Sequence, residues 1–399
     1  MQPLQLSAFT VTSCLGHGLE PTLKALREKR SGLSGRRFET VTLDTWTGEV
    51  AGVDDVIIPA ALSSFDCRNN RLAWLGLQGD DFLGRIRDAV ARYGTERIGV
   101  FLGTSTSGML QVEQAYRHRD PMTGALPADF NYHHTHNSFS VTNFVRQALA
   151  LRGPAFVVST ACSSSAKVFG NAQRMIAAGL IDAAVVGGVD SLCLTTLYGF
   201  HSLQLLANQP CRPFDAARDG LSIGEAAAFV LLERVQQRTG NNDIYLLGVG
   251  ESSDAHHMSS PHPQGLGARR AIEMALEQAA LCPADVDYIN LHGTATRNND
   301  AAEALAIEAL FGPDTPCSST KGATGHTLGA AGGVEAIICA LSIQHDLAPA
   351  GVNTQTLDPE LHVNYLRTNR ETKIDCALSN SFGFGGTNCS LLLGRMPAT

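Results

Sequence analysis

Cys162 is the residue in this chain with the strongest case for covalent chemistry. It lies in the stretch Val157-Val158-Ser159-Thr160-Ala161-Cys162-Ser163-Ser164-Ser165-Ala166-Lys167-Val168-Phe169. The apolar run Ala155 to Val158 predicts a buried strand, and small and apolar residues at helical spacing predict a helix over Ala166 to Ala178. The cysteine thus falls where a strand ends and a helix begins, beside the helix's unpaired N–H groups. Those groups and the aligned peptide dipoles favour negative charge, so the expectation is a thiol of lowered pKa that attacks as a thiolate. The same N–H groups would face a carbonyl oxygen that becomes negative during attack. A buried cysteine serving as a small hydrophobe is the plain alternative, and the polar serines around Cys162 argue against it.

Three further segments carry capable side chains among small residues. They are His292-Gly293-Thr294-Ala295-Thr296, Lys321-Gly322-Ala323-Thr324-Gly325-His326, and the glycine-rich run from Asn380 to Asn388. Taken singly, they read as a core histidine, a surface lysine, a helix cap and a turn. Taken with Cys162, they make a nucleophile, two imidazoles and a cation that acyl-transfer chemistry can use.

The elements that must position these groups alternate between strand and helix. Strands are expected over Leu4 to Val11, Ile98 to Leu102, Ala183 to Val189, Ala226 to Leu232, Tyr245 to Gly250, Val286 to Leu291, Lys373 to Leu378 and Cys389 to Leu393. Helices are expected over Glu20 to Lys29, from Arg68 onward, and over Phe139 to Ala150, Arg269 to Leu281, Asp300 to Leu310 and Leu328 to Ile343. Arg30 to Asp66 reads as polar loop and Tyr116 to Asn137 as an irregular insertion. The insertion holds His133, His134 and His136 but no acidic or cysteine partner at recognisable spacing, so an exposed or interface loop is expected rather than a metal site. In the loop Pro210 to Gly220, Arg212, Asp215, Arg218 and Asp219 are expected to form ion pairs rather than to catalyse. The pattern of Ser-Thr, small-residue turn and helix after Val158 recurs after Cys317, which suggests two halves of similar α/β design meeting at one site.

The chain has 399 residues, 44% of them hydrophobic, enough for two core-forming halves. A net charge of −8 argues against general nucleic-acid binding. The ten cysteines show no CxxC pair and read as reduced thiols of a cytoplasmic protein. No signal peptide is expected at Met1 to Leu6, and no uninterrupted apolar run approaches membrane-spanning length.

Thr160-Ala161-Cys162-Ser163-Ser164, Arg218-Asp219-Gly220, His292 to Asp300, Lys321 to His326 and Asn380 to Asn388 occur in the order found in one family. With these motifs the chain resembles the elongating β-ketoacyl-acyl-carrier-protein synthases of the thiolase-like superfamily. The resemblance implies an α/β fold of five layers, αβαβα, from two duplicated halves: 1–245 with the nucleophilic cysteine, and 246–399 with both histidines and the lysine. It implies a Cys–His–His site of Cys162, His292 and His326, as distinct from initiating synthases with an Asn and thiolases with a second Cys. It implies decarboxylative condensation of malonyl-carrier with a Cys162-bound acyl chain, with the N–H groups of Cys162 and Phe384 as oxyanion hole. No metal and no bound cofactor are implied; substrates arrive on the phosphopantetheine arm of acyl carrier protein.

For the remaining residues the resemblance implies supporting roles. Lys321 would orient and tune the site, with Glu303 as its counter-charge, and Asp300 would be structural. Thr294 and Thr296 would bond the arm, Thr106 would form the floor of the acyl pocket, Asn388 would bind substrate, and Phe382, Phe384 and the Ser252 to Gly267 loop would gate entry. Arg68 and Arg71 would dock the acidic carrier. A homodimer is implied. The alternative is a ketosynthase subunit of a specialised polyketide or polyene pathway, paired with a chain-length-factor-like subunit; Arg30 to Asp66, Tyr116 to Asn137 and Ala226-Ala227-Ala228 depart from the housekeeping pattern and favour it. Neither nucleic acid nor membrane is implied as a partner. A non-enzymatic structural subunit and a cysteine hydrolase are the competing readings.

Overall fold

The computed structural model describes residues 2–35, 38–235 and 243–396. The first five strands of three or more residues are β1 (Leu4–Ser13), β2 (Ile98–Gly103), β3 (Ala155–Val158), β4 (Ala183–Asp190) and β5 (Ala226–Arg234). Five more follow: β6 (Tyr245–Ser253), β7 (Tyr288–Asn290), β8 (Pro316–Ser318), β9 (Cys376–Gly383) and β10 (Thr387–Gly394). The first set lies in the order β3-β2-β4-β5-β1 and the second in the order β8-β7-β9-β10-β6. In each set the first three strands are parallel and the last two antiparallel. The two sets therefore repeat one topology, and strand pairing joins them where Leu4 and Gln5 of β1 meet Leu246 and Tyr245 of β6.

Side-chain alternation along the strands shows how the layers stack. Val186 on β4, Val230 on β5, and Leu391 and Leu393 on β10 face one central core. There they meet helices α3 (Ser164–Ala177) and α6 (Ala331–His345) through Val168, Phe169, Val334, Ile337 and Ile338. The alternate residues Val185, Phe229 and Leu231 face outward onto α1 (Arg68–Leu77) and α2 (Phe139–Ala148). In the second half, Leu378 and Leu392 face outward onto α4 (Leu266–Ala279) and α5 (Arg297–Phe311). Three helical layers enclosing the two strand sets result. Strands buried on both faces must be apolar throughout rather than alternating, as the AAVVGGV of β4 is.

Helix α6 is the innermost element, buried from Ala331 to Ile343. With the turn before it, Leu328–His345 is long and apolar enough on average to cross a bilayer, although Glu335 interrupts it; 89% of it lies inside the fold. Close contact between α3 and β2 depends on Gly103, where a Cβ would stand 2.3 Å from the Ser165 backbone nitrogen. That approach places the start of α3, and Cys162 before it, over the end of the sheet.

Several expectations shift. β3 is not fully buried: it has β2 as its one strand neighbour, and its four apolar residues are half-buried at the sheet edge. Helices also form at Phe82–Tyr93, Met109–Arg117 and Leu194–Ser202. Asn380, Ser381 and Phe382 lie within strand β9 rather than in a loop, because β9 and β10 form a hairpin that turns at Phe384 to Gly386. Within Arg30 to Asp66, short 3-10 turns occupy Val53–Asp55 and Ala60–Phe65, while Arg36 and Arg37 lie outside the described residues.

Candidate active site

Cys162 follows β3 on a sharp turn that Ala161 makes with φ +50. Ser164 fixes this turn: its hydroxyl donates to the Ala161 carbonyl at 2.6 Å and accepts from the Thr160 N–H at 2.9 Å. The thiol is 6% exposed, and its sulfur lies 3.0 Å from Nε2 of His326. The sulfur and the nearest nitrogens of His292 and His326 all lie within 4.8 Å of one another. The two imidazole rings are 5.3 Å apart and nearly perpendicular. Residues from both halves thus meet in one buried cluster.

Burial sets the protonation states. It holds both imidazoles well below their ordinary pKa, and the Lys321 charge beside them adds to this, so both are neutral at pH 7. Burial also pushes the Cys162 thiol up to about 12; the Lys321 charge and the Phe384 N–H pull the other way without overcoming it. The expected lowering of the thiol pKa is therefore corrected. A neutral thiol faces a neutral imidazole, and His326 Nε2 is placed to take its proton.

Lys321 is 1% exposed. Its ammonium donates to the Glu335 carboxylate, to the His292 carbonyl, and to His292 Nδ1 at 3.3 Å. Because Nδ1 accepts, Nε2 of His292 carries the proton and is a donor toward the cluster. The counter-charge of Lys321 is thus Glu335 on α6 and not Glu303. Glu303 instead accepts the N–H groups of His292 and Gly293, both at 2.8 Å, and the Asn380 amide at 3.2 Å. It holds the backbone that carries His292, and burial pushes its carboxyl up to about 7. Cys162, His292 and His326 have the donor types of a metal triad, but the ammonium on His292 Nδ1 opposes a dication there.

A cavity of about 390 Å³ opens onto this cluster. Thr294, Thr296, Phe382, Phe384 and Asn388 line it, as do Phe200, Leu203 and Leu205, which sequence reasoning did not single out. The Thr294 and Thr296 hydroxyls are 2.9 Å apart. Phe384 stands on the hairpin turn 5.5 Å from the Phe200 ring, whereas Phe382 is buried in β9 with its ring 5.8 Å from His292. The turn is tied to the segment after β6: Gly385 N–H donates to the Met258 carbonyl at 2.7 Å, and the Asn388 amide donates to Asp254 at 3.0 Å.

Thr106 does not line this cavity; it is buried, and its hydroxyl donates to Asp190 at 2.9 Å. Asp300 accepts the Phe214 N–H at 2.9 Å and lies 3.6 Å from Arg218, which also pairs with Asp358 at 2.6 Å. Arg212 pairs with Asp219 at 3.7 Å. His134 stacks edge-on against Phe65 at 4.5 Å in a single π-helical turn, and among the described residues the three nearby histidines form no metal-type cluster.

The expectation for Arg68 fails. It is 3% exposed, bound to Glu225 at 2.7 Å, Asp54 at 2.8 Å and Glu49 at 3.2 Å, so it cannot dock a partner. An arginine with three carboxylates on it is fixed inside the fold, and removing it would strand the fully buried Glu225. Arg71 is partly exposed and pairs with Asp66 at 2.6 Å.

Comparison with known proteins agrees with this architecture. The β-ketoacyl synthase N-terminal domain model matches residues 86–238 and the corresponding C-terminal domain model matches 245–355. The 3-oxoacyl-[acyl-carrier-protein] synthase 2 of Rhizobium meliloti is 44% identical over 61% of this chain, a match that spans 62% of that relative's own length. The synthase of the same description from Coxiella burnetii is 32% identical over 98% of both chains. A ketosynthase (ApeO) from Xenorhabdus doucetiae, solved in complex with its chain length factor (ApeC), superposes with a TM-score of 0.89 and 39% identity over 99% of this chain and 98% of that one. The chain has the thiolase-like fold of these ketosynthases and belongs to the β-ketoacyl synthase family.

Proposed function

We propose that this protein is a 3-oxoacyl-[acyl-carrier-protein] synthase that lengthens a Cys162-bound acyl chain by two carbons. The observation that carries the reading is the 3.0 Å contact between Cys162 Sγ and His326 Nε2, with His292 beside it at the base of a cavity. In the first half-reaction, Cys162 gives its proton to His326 and attacks the thioester of an acyl group on the carrier's phosphopantetheine arm. An acyl-enzyme forms and the carrier thiol leaves with a proton. The N–H of Phe384, which faces the sulfur, and that of Cys162 stabilise the tetrahedral oxyanion.

In the second half-reaction, malonyl-carrier loses carbon dioxide. Its thioester oxygen becomes an enolate, held by the Nε2–H of His292 and by His326 in the neutral tautomer that carries its proton on Nε2, which no partner on Nδ1 among the described residues opposes. The enolate carbon attacks the acyl-enzyme carbonyl, the Cys162–acyl bond breaks, and the departing thiolate takes a proton from water. No metal or bound cofactor takes part in this sequence. Thr294 and Thr296 are proposed to bond the arm, and Phe384 to gate the entrance.

The 39% identity over 99% of the chain to a ketosynthase solved with its chain length factor favours a more specific second reading, a polyketide-type ketosynthase subunit. The half-buried apolar edge strand β3 would suit pairing with a second subunit of the same fold. The ten free cysteines fit a reducing, cytoplasmic setting.

The test is to incubate the protein with acyl-carrier and malonyl-carrier. The expected result is one carbon dioxide released per product two carbons longer. Free acid without extension would instead indicate a hydrolase. Extension only after a second ketosynthase-fold subunit is added would select the subunit reading.

A further inference from the structure

Asp190, the last residue of β4, is fully buried, and the chemistry above makes no use of it. Every hydrogen bond on its carboxylate comes from a neutral donor. The Thr104 hydroxyl lies at 2.6 Å, the Ser105 N–H at 2.8 Å and its hydroxyl at 2.5 Å, and the Thr106 N–H and hydroxyl both at 2.9 Å. The remaining donor is the N–H of Gly329, at 2.6 Å. The first five donors belong to the loop after β2, in the first half of the molecule. Gly329 belongs to the second half, in the turn that directly follows His326.

A buried carboxylate without a cation is costly unless its donors are fixed in place, and here they are held by two separate segments. Gly329 is itself pressed against the acid: a Cβ there would stand 2.7 Å from Asp190 Oδ2 and 2.8 Å from the Ser105 nitrogen. On its other side, His326 is held by the segment before β5, with its N–H on the Ser222 carbonyl at 2.7 Å and its carbonyl accepting from Gly224 at 3.0 Å. His326 is therefore clamped between Ser222–Gly224 and the turn that Asp190 holds.

We propose that Asp190 is the positioning residue of the Cys162–His326 pair, tying the turn after His326 to the Thr104–Thr106 loop and so fixing the distance between imidazole and sulfur. It touches neither reacting atom. Its charge also reaches the sulfur: Asp190 and Glu335 favour the thiol form of Cys162, whereas Lys321 opposes them. The other titratable groups at the cluster, His292 and His326, are neutral. Loss of the Asp190 charge alone should therefore make Cys162 easier to ionise even as catalysis fails.

The inference rests on Cys162 being the nucleophile, and its test includes an arm that needs no carrier. Asp190→Asn keeps the shape of the side chain and removes its charge. Thr104→Val keeps the charge and deletes two hydrogen bonds, the one its hydroxyl donates to Asp190 and the one it accepts from the Ser107 N–H. For Asp190→Asn, kcat of chain extension is expected to fall roughly 10²-fold with KM for acyl-carrier unchanged, the cost of a misplaced reacting pair. Its pH profile for iodoacetamide alkylation of Cys162, read by peptide mass, is expected to move to lower pH, while the buried Cys317 and Cys339 stay unmodified. Thr104→Val is expected to lower kcat less, without moving the profile, and it carries the test if Asp190→Asn does not fold. Folded variants with wild-type kcat and an unmoved profile would overturn the proposal. So would alkylation of all buried cysteines together, which signals general loosening. Wild-type protein that alkylates at Cys162 but extends no chain would instead count against the proposed function and leave this inference standing.

Discussion

Lys321→Met is expected to cost both stability and activity, and the two losses should separate. Lys321 and Glu335 are 1% and 3% exposed, so deleting the ammonium leaves a carboxylate buried without its cation. Breaking such a pair from one side costs about 3–5 kcal/mol. Burial already pushes the Glu335 carboxyl above its ordinary range, so the stranded acid will take up a proton, which moderates that cost at neutral pH. Activity has no such relief. Without the ammonium on Nδ1, His292 is free to carry its proton on either nitrogen, and the donor toward the enolate is no longer guaranteed. Adding Glu335→Gln to Lys321→Met should restore most of the stability in chemical denaturation while condensation stays impaired. A double variant that regains full turnover would show that the lysine serves only the fold.

His292→Ala should split the two half-reactions. The Cys162 sulfur keeps its contact with His326 in this variant, so acyl loading should persist. The donor lost is the one assigned to the enolate oxygen, and removal of one such donor costs about 10²–10³-fold in rate. Release of carbon dioxide from malonyl-carrier is therefore expected to fall by that factor, measured with labelled malonyl-carrier. Since burial and Lys321 keep the His292 imidazole neutral, the wild-type decarboxylation rate should also stay flat as pH rises from 7 to 8, with no loss of a protonated donor. A steep decline over that range would mean that imidazolium is the active form.

The parts of the site that were legible in the sequence are those where chemistry needs small neighbours. Cys162, His292, Lys321, His326 and Phe384 each stand in a run of Gly, Ala, Ser or Thr, because backbone and helix must approach closely there. The repeated topology was also foreshadowed, by the Ser-Thr turn and helix after both Val158 and Cys317. The partners of these residues were not legible, since pairing depends on three-dimensional proximity rather than spacing. Glu303 is near His292 in sequence, yet it grips backbone, while Glu335 reaches Lys321 from across the central core. A signal was available: Glu335 is a lone acid in the apolar helix α6, where an unpaired charge would not be tolerated. For Arg68 and Arg71 the resemblance implied a docking patch, but Glu225, brought beside Arg68 by the sheet, draws that arginine inside. The protonation state of Cys162 failed as an expectation because a helix terminus is visible in sequence and the depth of burial is not.

The central claim is that one buried sulfur, faced by two imidazoles, receives the acyl group. Intact-mass analysis after incubation with acyl-carriers of graded chain length tests it most directly. The account predicts that wild-type protein gains the mass of one acyl group, mapped to Cys162, and that Cys162→Ala gains none. Acylation that persists in Cys162→Ala, or that maps to the exposed Cys282, would contradict it.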